Sequence, residues 1–277
     1  MRAVVLGGTG QLGRALRGLW PDAAFPGRDE LDVGDPASVA AFDWADVDTV
    51  VNAAAYTAVD RAEADPAGAW RVNASGPASL AAAAVRHDLT LVQVSTEYVF
   101  DGSATGPVPE SAPLCPVNVY GASKAAGELA VRAVSRHVVV RTSWLIGDGA
   151  NFARTMLGLA ARGVSPEVVD DQVGRPTVAS DLARALVALA GAEPGVYHAT
   201  GDGDPVSWAG VARAVFAHAG RDPADVRPVS TSEYTAGRSG VAPRPANGVL
   251  CLDRTRSAGI AMPDWRVALE EYLEEQA

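Results

Sequence analysis

Three glycines spaced three residues apart, Gly7, Gly10 and Gly13, stand near the start of the chain and constrain the rest of it. The four residues before them, Ala3-Val4-Val5-Leu6, are an uninterrupted apolar run of the kind buried in a parallel sheet. The residues after them, Arg14 to Trp20, continue with a helical period. A strand, a G-x-x-G-x-x-G loop and a helix in that order make a phosphate-binding turn. Gly7 permits the tight turn, Gly10 lets the backbone approach a pyrophosphate, and Gly13 allows the helix to pack closely on the strand. The helix N-terminus adds unpaired N–H groups and the positive end of its dipole. Thr9 shares this loop.

The following segments extend the pattern. A second strand is predicted at Ala23-Ala24-Phe25 and a third at Thr49 to Ala55, whose small residues Ala53, Ala54 and Ala55 leave space for a flat cofactor at the strand end. A helix is predicted from about Pro66 to Val85, with Asn73 on its surface. The run Leu91 to Glu97 reads as a strand leading into two hydroxyls and an acid, and Val138 to Trp144 as another buried strand. Helical segments follow at Phe152–Arg162, Ser180–Ala190 and Ser207–Ala219, separated by loops rich in Pro, Gly and Arg. Alternating strands and helices give a doubly wound α/β sheet. The change of texture predicts a smaller C-terminal lobe closing over the strand ends. Residues 1–165 form the first unit, 178–201 return to it, and 166–177 with 202–277 form the substrate-binding lobe.

The chain has a single lysine, Lys124, among 23 basic Lys and Arg residues, and it stands four residues after Tyr120. On a helix this spacing puts both side chains on one face. An ammonium there favours the phenolate and lowers the tyrosine pKa from about 10, so the expectation is a tyrosine that exchanges protons near neutral pH. Standing alone, such a pair is more often a solvated helix face.

Composition narrows the function classes. The net charge of −10 opposes nonspecific attraction to nucleic acid or anionic membrane. No apolar run approaches the roughly 20 residues of a membrane span. The segment before the glycine loop is too short for a signal peptide. Cys115, Cys251 and four scattered histidines show no metal-binding or redox spacing, so no metal is expected and the cytoplasm is the expected compartment. At the end of the second strand the first charged residue is Arg28, where an NAD-preferring site commonly has an acid. Arg28 can hold a 2′-phosphate, which favours NADPH with NADH as the alternative, or it can be a plain loop residue beside Asp29, Glu30 and Asp32.

Together these residues resemble an extended short-chain dehydrogenase/reductase, and more closely the dTDP-4-dehydrorhamnose reductase family. The resemblance runs in order through Val51 to Glu63, Ser95-Thr96-Glu97-Tyr98-Val99-Phe100, Pro116 to Gly121, Arg141-Thr142-Ser143-Trp144 and Asn151-Phe152-Ala153. It continues through Asp171-Gln172-x-Gly174-x-Pro176-Thr177, Arg244-Pro245-x-Asn247 and Pro263-Asp264-Trp265, and so covers nearly the whole chain. It implies a Rossmann-type fold and reduction of the 4-keto group of a nucleotide-activated 6-deoxysugar by a monomer or homodimer. By motif position Tyr120 is the general acid, Lys124 lowers its pKa and binds the nicotinamide ribose, and Thr96 hydrogen-bonds the carbonyl oxygen. Gln11, Leu12, Asp32, Val33 and Ala53 to Ala55 fall on dinucleotide-contacting positions. Glu97, Trp144, Gln172 and Arg175 fall on the substrate side.

Two positions depart from the family pattern. Glu97 replaces the usual aspartate, and Gly248 replaces the usual serine after Asn247. Both bear on which sugar fits. Two rival readings are an epimerase or dehydratase of the same extended family with tightly held NAD, and a cofactor-binding regulatory subunit without turnover. Loss of the tyrosine or the lysine would be expected of the regulatory subunit, and both residues are present.

Overall fold

A computed structural model describes residues 2–276. Five parallel strands form the central sheet, and their spatial order is Ala3–Leu6, Thr49–Asn52, Thr90–Thr96, His137–Thr142 and Gly195–His198. These strands are nearly all buried Val, Leu and small residues, as expected of a sheet covered by helices on both faces. One apolar cluster joins Val4, Leu6, Val50, Leu80 and Leu91 on one face, and another joins Val5, Leu16, Val138, Leu182 and Leu186 on the other. The doubly wound fold read from the sequence is present.

The predicted second strand shrinks to a single parallel bridge between Ala24 and Val4. Its two hydrogen bonds, from Ala24 N to the Ala3 carbonyl and from Val5 N to the Ala24 carbonyl, are both 2.8 Å long. Ala24 therefore lies on one side of the first strand and Thr49–Asn52 on the other. The chain reverses its direction of travel there, which opens a crevice at the carboxyl ends of the strands.

The predicted helix at 66–85 is one helical rod with a defect. Pro66–Trp70 and Gly76–His87 are α-helical, and Arg71–Ser75 between them is a π-turn. Pro77 has no N–H to offer the Asn73 carbonyl four residues back, which loosens the ladder at that point. Asn73 is not on the surface as expected. It is 1% exposed, and its amide accepts from Tyr56 N at 2.8 Å and donates to the Ser123 hydroxyl at 3.1 Å.

A third cluster gathers Ile146, Met156, Ala209, Val215, Phe216, Trp265 and Leu269. It includes Ala153, Met156 and Ala160 of the helix Phe152–Ala161. The helix Ala179–Leu189 packs against the sheet, and the strand Gly195–His198 is the sheet's last strand, paired with His137–Thr142. Among the described residues no helix is long and apolar enough to cross a membrane.

Candidate active site

One cleft of about 920 Å³ lies over the carboxyl ends of the strands. Gly7, Thr9, Gly10, Gln11, Leu12, Gly13, Arg28, Asp32, Val33, Ala53, Ala54, Ala55, Thr96, Glu97, Tyr120, Lys124 and Trp144 all line it. Of the residues singled out from the sequence, Gln172 and Arg175 do not. The Gln172 amide donates to the Thr231 hydroxyl at 3.0 Å, and an Arg175 guanidinium nitrogen reaches the Leu250 carbonyl at 3.3 Å.

The glycine end is shaped for a dinucleotide. Gly7 has a φ of 80°, open only to glycine without strain, and a side chain on Gly13 would overlap the Gly7 carbonyl oxygen. A Cβ on Gly10 would meet only the Gly7 oxygen, at 3.4 Å, so the loop is open on its cleft side. The helix Gln11–Leu19 has no side-chain cap, which leaves its first-turn N–H groups for a phosphate. Gln11 Oε1, Ser95 Oγ and Thr142 Oγ1 are buried at the cleft without partners. Such orphaned groups suit a polar ligand that pairs with them. Arg28 is largely exposed, with its Nε 3.9 Å from Asp32 Oδ1, a solvated contact that holds it weakly.

The reacting end is built by the helix Val119–Val131. Asn118 caps it, accepting from Gly121 N at 2.7 Å. A side chain on Gly121 would overlap the Tyr98 carbonyl oxygen, so the glycine brings this helix against the turn Glu97–Val99. Arg141 and Glu128, both fully buried, tie the same helix to the strand His137–Thr142 at 2.8 Å. Tyr120 is thereby carried to the strand end that bears Thr96 and Glu97, with its ring edge-on to Tyr98 at 5.4 Å.

The electrostatics differ from the sequence expectation in one respect. Lys124 donates to the Val94 carbonyl at 2.6 Å, and burial pulls its pKa down to about 8 against the opposing pull of Glu128. It does not lower Tyr120. Burial and then the Glu97 charge push the Tyr120 phenol upward, and a hydrogen bond with Thr96 partly offsets them. The phenol therefore keeps its proton at neutral pH. Glu97 accepts from the Thr96 hydroxyl at 2.8 Å, and burial pushes its carboxyl up to about 7. Thr96 also accepts from Tyr98 N at 3.2 Å, closing the turn after the strand.

On the far wall Trp144 has a φ of 44°, a strained value for a bulky residue and one that recurs at functional sites. Trp208, which the sequence reading missed, stacks on it with ring centroids 3.7 Å apart. A Cβ on Gly174 would stand 2.8 Å from Trp144 Cε2, so the block containing Gln172 and Gly174 buttresses this indole. No local signal marks Trp208, because its partner is 64 residues away in sequence. Arg14 was also missed; it lines the cleft and donates to the Thr9 and Asp148 carbonyls.

Comparison with known proteins adds to this geometry. A family model described as the RmlD substrate binding domain matches residues 1–277. A probable dTDP-4,6-dihydroxy-2-methyloxan-3-one 4-ketoreductase from Streptomyces antibioticus is 44% identical, over 98% of this chain and 94% of the relative. The dTDP-4-dehydrorhamnose reductase of Mycobacterium tuberculosis H37Rv is 42% identical, over 98% of this chain and 92% of the relative. The structure of dTDP-4-dehydrorhamnose reductase from Bacillus anthracis in complex with NADP superposes with a TM-score of 0.92 at 34% identity, covering 99% of each chain.

Proposed function

The chain belongs to the RmlD substrate binding domain family, and from that premise we propose that it is an NADPH-dependent reductase of the 4-keto group of a dTDP-4-dehydro-6-deoxysugar. The observation that carries the proposal is the convergence of Thr96, Tyr120 and Lys124 with the glycine loop in one cleft. Relatives named as dTDP-4-keto sugar reductases support the substrate class, and a relative bound to NADP supports the cofactor.

Bound NADPH would supply the hydride that reduces the ketone. The loop from Gly7 to Gly13 would hold the pyrophosphate, Arg28 the 2′-phosphate, and Asp32 and Val33 the adenosine end. Ala53 to Ala55 leave space along the strand end, and Lys124 would bind the nicotinamide ribose. Tyr120 donates its proton to the carbonyl oxygen as charge builds on it, and Thr96 hydrogen-bonds the same oxygen. Glu97 and the Trp144–Trp208 wall shape the sugar side. The core around Met156, Phe216 and Trp265 carries that wall and serves as the substrate lobe.

The test is a spectrophotometric screen for NADPH oxidation against a panel of nucleotide 4-keto-6-deoxysugars. Turnover with a dTDP-linked member is the expected result. Copurification of tightly bound oxidised NAD without net reduction of any ketosugar would instead favour an epimerase or dehydratase.

A further inference from the structure

Three of the blocks singled out in the sequence take no part in the chemistry above, yet they meet in space. Asp60 comes from the block Val51 to Glu63, Asn118 from Pro116 to Gly121, and Arg244 from Arg244-Pro245-x-Asn247. Asp60 Oδ1 accepts from Ala242 N at 2.9 Å and from the Arg244 guanidinium at 2.6 Å. The same guanidinium nitrogen donates to the Ala242 carbonyl at 2.6 Å, so residues 242–244 are closed on themselves and fixed to the helix Val59–Ala64. Glu63, near the end of that helix, accepts from Val119 N at 2.8 Å.

Between these contacts stands Asn118, which is 7% exposed. Its Oδ1 accepts from Gly121 N and its Nδ2 donates to the Pro243 carbonyl, both at 2.7 Å. Gly121 N can only donate and the Pro243 carbonyl can only accept, so a single orientation of the amide serves both. Serine or aspartate would cap the helix as well. Aspartate, however, has no hydrogen for the Pro243 carbonyl, and serine has one oxygen to serve both sides.

Beyond Pro243 the chain crosses to the opposite wall of the cleft. Val173 N donates to the Ala246 carbonyl and Gly248 N to the Val173 carbonyl, both at 2.8 Å. The Asn247 amide donates to the Ala104 and Gly106 carbonyls at 2.8 and 2.9 Å. The strand Val173–Gly174 is the one whose Gly174 lies against the Trp144 indole. One strap of chain, residues 242–248, therefore joins the start of the helix that carries Tyr120 to the wall that carries Trp144.

We propose that Asn118 is a positioning residue of this site, an inference that rests on the reductase reading. Its two-sided amide sets where the Tyr120 phenol, two residues along the helix, stands relative to a sugar held against the Trp144 wall. A cap alone would hold the first turn of the helix without placing that turn against the opposite wall. The placement matters because a shift of about 1 Å in a reacting group can cost on the order of a hundredfold in rate.

The test uses Asn118→Asp and Asn118→Ser in the intact protein. Both keep an N-cap and lose the bond to Pro243, so thermal stability should stay near the parent's. With a ketosugar that the parent reduces, kcat should fall by about tenfold or more, while KM and the dissociation constant for NADPH change little. Asp60→Asn loosens the Arg244 end of the strap and should lower kcat by a smaller factor. In a Tyr120→Phe background, Asn118→Asp should cost no further kcat, because a residue that acts through the phenol has nothing left to position. A residue with only a structural role would lower stability, or lower kcat by the same factor in both backgrounds. Parental kcat in both Asn118 variants, losses that follow the loss of folded protein, or equal losses with and without the phenol would overturn the proposal and leave the reductase reading standing. A parent that reduces no ketosugar would sink both.

Discussion

Glu97 and Gly248 are in contact: a Cβ added to Gly248 would stand 3.0 Å from the Cγ of Glu97. These are the two positions at which the chain departs from the aspartate and serine of its family pattern. The Glu97 side chain thus lies against the face of Gly248 that a side chain would fill, so two departures that look independent in sequence are neighbours in space. Such a pair should be energetically coupled.

The first prediction is therefore a double-mutant cycle. Gly248→Ser crowds the Glu97 side chain and should lower kcat/KM by about tenfold, since crowding a packed site costs roughly 1–3 kcal/mol. Glu97→Asp alone should alter the ranking of nucleotide 4-ketosugars by about tenfold or more, because polar groups left unpaired in a buried site discriminate strongly. The double variant should recover much of the loss in Gly248→Ser. Strictly additive effects on kcat/KM would show that the two residues act separately.

Tyr120→Phe removes the proposed proton donor while keeping the ring that packs edge-on against Tyr98. It should lose at least about a hundredfold in kcat, the lower range for a positioned general acid. Cofactor affinity and thermal stability should stay near those of the parent. Near-parental turnover would remove Tyr120 from the chemistry.

Much of this site was legible in sequence because its parts are local. Strand, glycine loop and helix are contiguous, and each glycine has a steric reason within a few residues. Tyr120, Lys124, Thr96 and Glu97 stand on short motifs at strand and helix ends. What escaped depends on distant partners. Asn73 is buried because a π-turn lets it reach Tyr56 and Ser123. Trp208 meets Trp144 only through tertiary packing. Lys124 was expected to act on Tyr120, yet its ammonium is held by a carbonyl 30 residues away. Ala23 to Phe25 was too short a run for its pairing with Val4 to be judged as strand or bridge.

Arg28 lines the cleft and makes a long, solvated contact to Asp32. A charge-assisted bond from it to a 2′-phosphate would contribute roughly 1.5–3 kcal/mol. The parent should thus prefer NADPH to NADH by about tenfold or more. Arg28→Ala should erase the preference by weakening NADPH alone, as read from dissociation constants for the two cofactors. Equal affinity of the parent for both would remove Arg28 from cofactor choice and leave the reductase reading intact.

The last prediction concerns stability against pH, where two buried groups pull in opposite directions. His198 is buried beside Arg141, and burial followed by that positive charge depresses its pKa from 6.5 to about 3. The unfolded chain binds a proton on this histidine that the folded protein refuses, so its contribution is present above about 6.5 and is lost as pH falls toward 3. Glu97 behaves in the reverse sense. Burial raises it from 4.5 to about 7, so between those values the folded protein holds a proton that the unfolded chain has released. Stability from this group is full below about 4.5 and is lost as pH rises through 7. The size of the shift corresponds to about 3 kcal/mol, an order-of-magnitude figure. Glutamine at 97 keeps the shape and cannot ionise. Urea unfolding at about pH 5 and about pH 8 should show that the parent loses stability relative to Glu97→Gln over this interval. The same comparison at more acidic pH should show both proteins weakening together, because His198 is common to them. A constant difference between parent and variant across the neutral range would mean that Glu97 is ionised throughout, and the carboxyl would then have no proton to hold in the cleft.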